Sequence, residues 1–337
     1  MDTSMRLPWQ KHSTPETRAS LEPAHNEFAI EVNGLSKTFG DFTAVNSISL
    51  SVGHGEIFGF LGPNGSGKTT TIRMLCGVIA PSGGGARIMG YDVVTESERV
   101  RENIGYMSQK FSLFQDLTVD ENLKFYAGIY GLSDEKFAER REYILTMADL
   151  HGRENEMAGD LSVGWKQRLA LGCATIHEPK LIFLDEPTSG VDPTARRQFW
   201  ELLHDLAASG VTLFVTTHYM DEATHCNRLA FIYRGDIIAE GTPAEVKGDL
   251  MRDTILRVEV DRGEDALTAL EGSPGIAEAY MQGSMLHVNV GERTEAEADL
   301  TGLLGGLGFT VLGVEPVEPT LEDAFVHLVT RQREVSA

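Results

Sequence analysis

Apolar positions along the chain fall into two periods. Residues 28–32 and 48–52 alternate apolar and polar side chains, the signature of strands with one buried face. Residues 56–61, 181–184 and 211–215 are short and mostly apolar, as strands buried on both faces are. Residues 134–150 and 198–208 repeat their apolar positions at helical spacing among charges, which predicts helices. Strands separated by helices imply an α/β layer around a parallel sheet. Beyond about residue 250 the order becomes strand (255–260), helix (265–271), strand (276–281), strand (285–290), helix (295–307) and strand (309–314). That βαββαβ order predicts a small ferredoxin-like α+β sandwich. A closing helix at 320–330 sets Leu321, Phe325 and Leu328 on one stripe, with Thr320 and Asp323 as a capping box.

Composition sharpens this division. A length of 337 residues suggests about two domains. Asp and Glu number 50 against 29 Lys and Arg, a net charge of −21, which repels nucleic-acid backbones and anionic surfaces. No nucleic-acid partner is expected. The last lysine is Lys247, and residues 253–337 hold 16 acids against five arginines, so the composition shifts where the pattern does. Residues 1–26 are polar, without the apolar stretch of a signal peptide, and read as a disordered arm. No unbroken apolar run exceeds residues 229–233, far short of the roughly 20 residues that a spanning helix needs. Cys76, Cys173 and Cys226 are widely spaced and read as buried free thiols in a reducing compartment. The expected location is the cytoplasm. Gly83-Gly-Gly85 reads as a flexible hairpin or loop, and His225 as a surface residue.

Chemistry concentrates where strand 56–61 ends. Gly62-Pro-Asn-Gly-Ser-Gly-Lys-Thr69 matches G-x-x-x-x-G-K-[ST] at a strand-to-helix junction. Its glycines let backbone amides converge on phosphate oxygens, and the following helix turns its positive end toward them. The nucleotide-binding set is therefore Gly62, Pro63, Asn64, Gly65, Ser66, Gly67, Lys68, Thr69 and Thr70. Lys68 can reach the β- and γ-phosphates, and the Thr69 hydroxyl can ligate Mg²⁺. Leu181-Ile-Phe-Leu-Asp-Glu-Pro187 is an apolar strand ending in two acids. Asp185 suits the Mg²⁺ shell, and Glu186 can polarise an attacking water.

With these come further motifs in one order, and residues 28–245 resemble the nucleotide-binding subunit of an ATP-binding-cassette (ABC) transporter. Leu161-Ser-Val-Gly-Trp-Lys-Gln-Arg168 resembles the family signature LSGGQ, with Ser162 placed 23 residues before Asp185. Gln109 resembles the glutamine that joins the Mg²⁺ site to the membrane partner. Ser189-Gly-Val-Asp192 resembles the D-loop, Thr216-Thr-His218 the switch histidine, and Phe39 the aromatic that stacks on adenine. The resemblance implies a P-loop ATPase cassette (27–250, helical subdomain about 110–175) followed by an acidic accessory domain (253–337). It implies two cassettes closing head to tail around ATP and Mg²⁺, with Ser162 and Gly164 facing the partner's P-loop, Asp192 crossing the interface and His218 at the γ-phosphate.

Val163 and Trp165 depart from the signature, and Val163 adds a branched side chain where the family leaves space, which implies slower or retuned hydrolysis. Thr320-Leu-Glu-Asp-Ala-Phe325 and the segment from Gly105 to Phe114 resemble the branch of bacterial drug, antibiotic and polysaccharide exporters. In that branch Phe111, Leu113 and Phe114 offer an apolar rim to an integral membrane permease, or else pack inside the helical subdomain. The expected role is an ATPase subunit, peripheral on the inner face of the membrane, that powers export of a drug-like or lipid-like substrate. A soluble ABC ATPase acting on a macromolecular complex, or a regulatory cassette with little turnover, is also compatible with these residues.

Overall fold

The computed structural model describes residues 27–109, 113–248, 253–291 and 296–336. The expected arm at 1–26 and the rim residue Phe111 lie outside these residues. β1 (Phe28–Phe39) and β2 (Phe42–Gly53) form a long antiparallel hairpin. β4 (Gly83–Ile88) pairs with β1 on one side and with the short β5 (Tyr91–Asp92) on the other. Gly83-Gly-Gly85, expected to be a flexible hairpin or loop, is the start of a paired strand. Close approach explains the glycines: Gly84 has φ +66°, and a Cβ there would lie 2.0 Å from the Gly34 carbonyl oxygen.

The central sheet holds β3 (Ile57–Leu61), β6 (Ile104–Met107), β7 (Leu181–Asp185), β8 (Thr212–Thr217), β9 (Arg228–Tyr233) and β10 (Asp236–Gly241), in the order β10-β9-β3-β8-β7-β6. All its pairings are parallel except that of β10 with β9. Every residue of β3, β7 and β8 is buried, which is why those segments read as apolar runs. Their alternate side chains feed two cores. Phe58, Phe60, Phe183 and Phe214 pack with α1 (Lys68–Leu75), α2 (Ser97–Asn103) and the antiparallel sheet. Ile57, Ile182, Leu184, Leu213 and Val215 pack with a helical layer on the opposite face.

That layer contains α3 (Val119–Ile129), α4 (Asp134–Met147), α5 (Val163–Thr175) and α6 (Pro193–Ala208). Thr118 and Glu121 close a capping box on α3, and the Ser133 hydroxyl caps α4. The helix read at 134–150 stops at Met147, and two residues on Asp149 takes φ +55°. The helix read at 198–208 begins earlier, because Asp192 caps its first turn and Pro193 opens it. The three cysteines are buried free thiols, each pushed up by burial. His225, read as a surface residue, is half-buried, with its ring stacked on Trp200 at 4.7 Å.

After α7 (Pro243–Val246) the chain forms a separate antiparallel sheet from β11 (Ile255–Val260), β12 (Glu278–Gln282), β13 (Met285–Asn289) and β14 (Val311–Val317). The order β12-β13-β11-β14 is that of a ferredoxin-like sandwich. α8 (Gly263–Leu270) and α9 (Ala296–Gly306) supply Ala266, Leu270, Leu300 and Leu304 to its core. α10 (Leu321–Ser336) then joins the two parts of the molecule. Leu321, Phe325 and Leu328 pack against Ala223, Leu229 and Phe231 of the cassette. From the same helix, Glu322 accepts from Gln282, and Asp323 accepts from Tyr280 and lies 3.1 Å from His287 Nδ1.

Candidate functional site

The phosphate-loop segment spans the gap between β3 and α1, and two contacts explain its glycines. A Cβ on Gly62 would sit 2.2 Å from the Ile232 carbonyl oxygen; one on Gly67, at φ +113°, would sit 2.6 Å from that of Ala44. The β1–β2 hairpin and the β9–β10 turn therefore clamp the loop from outside, and Gly235 donates to the Ser66 carbonyl at 3.0 Å. Gly67 is the N-cap of α1 and brings no side chain to its first amides, which leaves them for an anion. Asn64 and Gly65 are exposed at the tip, with Pro63, Thr69 and Thr70 half-buried. The buried Ser66 hydroxyl has no hydrogen-bond partner among the described residues.

Lys68 is 5% exposed, and its ammonium donates to the carbonyls of Gly62 (2.8 Å) and Pro63 (3.2 Å). It also lies 3.1 Å from Glu186 Oε1. Glu186 follows β7 and collects further partners at Oε2: Gln109 Nε2 donates at 2.9 Å, and His218 Nδ1 lies at 3.2 Å. Its φ of +51° is unusual for a glutamate and costs about 1–3 kcal/mol. The surrounding hydrogen bonds hold it there. Its amide donates to both the carbonyl oxygen (3.1 Å) and the hydroxyl (3.0 Å) of Thr216.

Asp185, 1% exposed, accepts from the Thr216 hydroxyl at 2.7 Å and the Thr69 hydroxyl at 3.3 Å. Thr69 and Asp185 thus present hard oxygen donors side by side at the end of the phosphate loop. That donor set fits Mg²⁺, which favours carboxylate and hydroxyl oxygens. The resemblance puts Gln109 at the metal, whereas here its amide engages Glu186.

Sequence reasoning does not single out Thr216. Its place two residues before His218 on a fully buried strand is the available signal: a buried hydroxyl needs partners, and both acids of β7 are beside it.

The remaining expected residues lie apart from this cluster. Ser162 is the exposed N-cap of α5 with no side-chain capping bond, so its hydroxyl and the first amides of the helix are open. Gly164 faces α6, where a Cβ would meet that of Ala195 at 3.0 Å. Among the described residues no hydrogen bond or ion pair links either residue to Lys68 or Glu186. Val163 points outward, 41% exposed, and the guanidinium groups of Arg153 (4.3 Å) and Arg168 (5.1 Å) both lie against the Trp165 ring. The Asp192 carboxylate caps α6 through the Ala195 amide at 3.0 Å. Phe39, 52% exposed, ends β1 on the hairpin that clamps Gly67, with the Lys37 ammonium 5.1 Å from its ring.

This geometry has counterparts. A family model described as "ABC transporter" matches residues 45–189. The Nod factor export ATP-binding protein I of Rhizobium sp. (strain N33) is 34% identical over 310 residues, covering 92% of this chain and 99% of that protein. The chain belongs to the ABC transporter family. ATP-binding subunits of that family hydrolyse ATP, dimerise and work with membrane permeases. The probable multidrug ABC transporter ATP-binding protein YbhF of Escherichia coli (strain K12) is 45% identical over 234 residues. That alignment covers 69% of this chain, which spans only 40% of the length of YbhF. Among solved structures, the ABC cassette MJ0796, a post-hydrolysis dimer bound to ADP and Pi, matches with a TM-score of 0.58 and 26% identity. It covers 63% of this chain and 98% of its own. The P-loop ATPase fold is thus shared across the cassette.

Proposed function

We propose that this ABC subunit hydrolyses ATP between two cassettes and powers export of a drug-like or lipid-like substrate through a separate membrane permease. The observation that carries the reading is the convergence of Lys68, Gln109 and His218 on Glu186, beside Asp185 and Thr69. Water attacks the γ-phosphorus, Glu186 takes its proton, and the bond to the bridging oxygen of ADP breaks, giving ADP and phosphate. Lys68 is held by Glu186 and two loop carbonyls. On binding ATP it turns to the phosphate oxygens, which frees the carboxylate to accept the proton. His218 keeps the water and the γ-phosphate in line. Thr69 and Asp185 would hold Mg²⁺, and Gln109 would link that site to the membrane partner. When bound, the metal neutralises charge on the β- and γ-phosphate oxygens.

Ser162 and the open start of α5 suit the γ-phosphate of the opposing cassette, and Phe39 offers its exposed face to adenine. Asp192, though it caps α6, lies in the segment that meets the second cassette. A homodimer is the simplest partner arrangement. On the helical layer Phe114 and Phe125 are exposed and meet edge to face at 4.5 Å, with Ile129 nearby on α3 at 61% exposure. This patch supports docking of the permease. Of the two readings open for Leu113, rim or packing inside the helical subdomain, the second holds: it is 7% exposed and belongs to the core. Among the described residues no helix is long and apolar enough to cross a membrane. In this reading a permease holds the subunit at the inner face. The export reading draws on relatives named for multidrug and Nod factor export.

Replacing Glu186→Gln tests the reading by size-exclusion chromatography with light scattering. With Mg-ATP the variant should run as a stable dimer that retains unhydrolysed nucleotide. A variant that stays monomeric with ATP and releases phosphate at the wild-type rate would remove Glu186 from the mechanism.

A further inference from the structure

The switch histidine is supported from behind by side chains to which no role has been given. The ring of Tyr219 lies 4.1 Å from that of His218, and the guanidinium of Arg196 lies 4.2 Å from the Tyr219 ring. Arg196 comes from the first turn of α6, just past Asp192. It is held by two acids of the 3₁₀ turn at Met220–His225: Nε is 3.5 Å from Glu222 Oε1 and Nη1 3.7 Å from Asp221 Oδ2. Asp221 is largely exposed, but Glu222 is only 2% exposed. The Thr188 hydroxyl, fully buried, donates to the Glu222 carboxylate. Thr188 follows Glu186 by two residues, and the Ser189 amide donates back to the Glu186 carbonyl at 3.2 Å.

A buried carboxylate is costly and persists only where its partners compensate. Burial raises the Glu222 carboxyl above its usual range, and the hydroxyls of Thr188 and Thr217 and the charge of Arg196 oppose that rise. The group lies at the junction of three segments: the turn after Glu186, the start of α6, and the turn after His218.

We propose that Glu222, Arg196 and Tyr219 form a positioning support that fixes the His218 ring against Glu186 and ties it to the D-loop segment through Thr188. None of the three touches the reacting atoms, so they are positioning residues. The consequence is mechanical. A partner cassette that moves residues 188–192 shifts Thr188 and Arg196 together, and the row Arg196–Tyr219–His218 carries that shift to the water-holding imidazole. The inference rests on the ATPase reading for its meaning and on the close Arg196–Tyr219–His218 contacts for its existence.

Two measurements test it. The first is kcat and the ATP dissociation constant for Tyr219→Leu, Tyr219→Phe and Glu222→Gln, each made in the wild-type and the His218→Ala backgrounds. Tyr219→Leu and Glu222→Gln should lower kcat about tenfold with nucleotide affinity changed less than about twofold. Tyr219→Phe, which keeps the ring, should restore most of the rate. In the His218→Ala background neither loss should recur, because there is no ring left to position. Equal fractional losses in both backgrounds, or a Tyr219→Phe variant as slow as Tyr219→Leu, would overturn the proposal. The second measurement does not depend on turnover: the imidazole resonances of His218 in the full chain, assigned by comparison with His218→Ala. Glu222→Gln should move them, although Glu222 is not in contact with the ring, and an unmoved signal in a folded variant would overturn the support. A wild-type chain that releases no phosphate while its His218 signal responds to Glu222→Gln would instead sink the ATPase reading alone.

Discussion

Two buried acids in this protein each sit beside a histidine, and they are put to different uses. Glu186 lies 3.2 Å from His218 and Asp323 lies 3.1 Å from His287, and both acids are buried. Around Asp323 each partner serves the fold. Thr320 donates through its amide (2.7 Å) and hydroxyl (2.6 Å), and Tyr280 donates at 2.8 Å. The carboxylate closes the capping box of α10 and ties that helix to β12 and β13. Around Glu186 each partner also has a part in the proposed chemistry: Lys68 toward phosphate, Gln109 toward the metal side of the site and His218 toward water. The backbone of Glu186 is also strained, whereas Asp323 is in the first turn of a regular helix. An acid–histidine distance therefore does not mark a reactive site by itself. What separates Glu186 is the set of groups around it, a lysine of the phosphate loop, a glutamine and a histidine, together with its positive φ.

The largest effect that would sharpen this contrast is Lys68→Met. It removes the cation proposed to bind phosphate and leaves Glu186 buried without its ion pair. Turnover should fall by about a thousandfold or more, read as phosphate release. Next comes Asp323→Asn, which leaves the shape of the site but removes the charge accepting from Tyr280 and Thr320. It should cost about 2 kcal/mol in denaturant melts, while each folded molecule keeps its turnover within about twofold.

The pH dependence of stability offers a third comparison. Burial pushes the Asp323 carboxyl up, but hydrogen bonds from His287, Thr320 and Tyr280 outweigh it and hold it below the usual carboxylate range. A carboxyl depressed in the folded state stabilises above its unfolded pKa, near 4, and that contribution disappears as pH falls through the folded value. Thermal melts below about pH 4 should therefore drop more steeply for the wild type than for Asp323→Asn. The smallest expected effect is Val163→Gly. Its side chain stands in solvent at the start of α5, so turnover should change by less than about threefold. A collapse in rate would show that the valine meets the opposing cassette.

Residues whose chemistry depends on local sequence are legible from the chain alone. The phosphate loop, the acids closing β7 and the histidine closing β8 are contiguous motifs, and the backbone around each is set by a few neighbours. The ferredoxin-like order is legible because alternation and helical period are strong in short segments. What cannot be read depends on register between distant strands. Thr216 serves both acids only because β7 and β8 pair in parallel with Asp185 opposite Thr216. The glycines at 83–85 resemble a loop because nothing in their own sequence reveals that Gly34 approaches them. Leu113 and Phe114 are adjacent and both apolar, yet one enters the helical core and the other faces out. Arg196, Tyr219 and Glu222 come from two segments that meet only through tertiary packing.

Phosphate release from purified Glu186→Gln and Asp323→Asn, measured side by side with excess Mg-ATP and normalised to folded protein, tests the central claim most directly. The account predicts that turnover is lost in the Glu186 variant and retained in the Asp323 variant. Retained turnover in the first, or equal loss in a folded sample of the second, would contradict the assignment of Glu186 as the group that activates water.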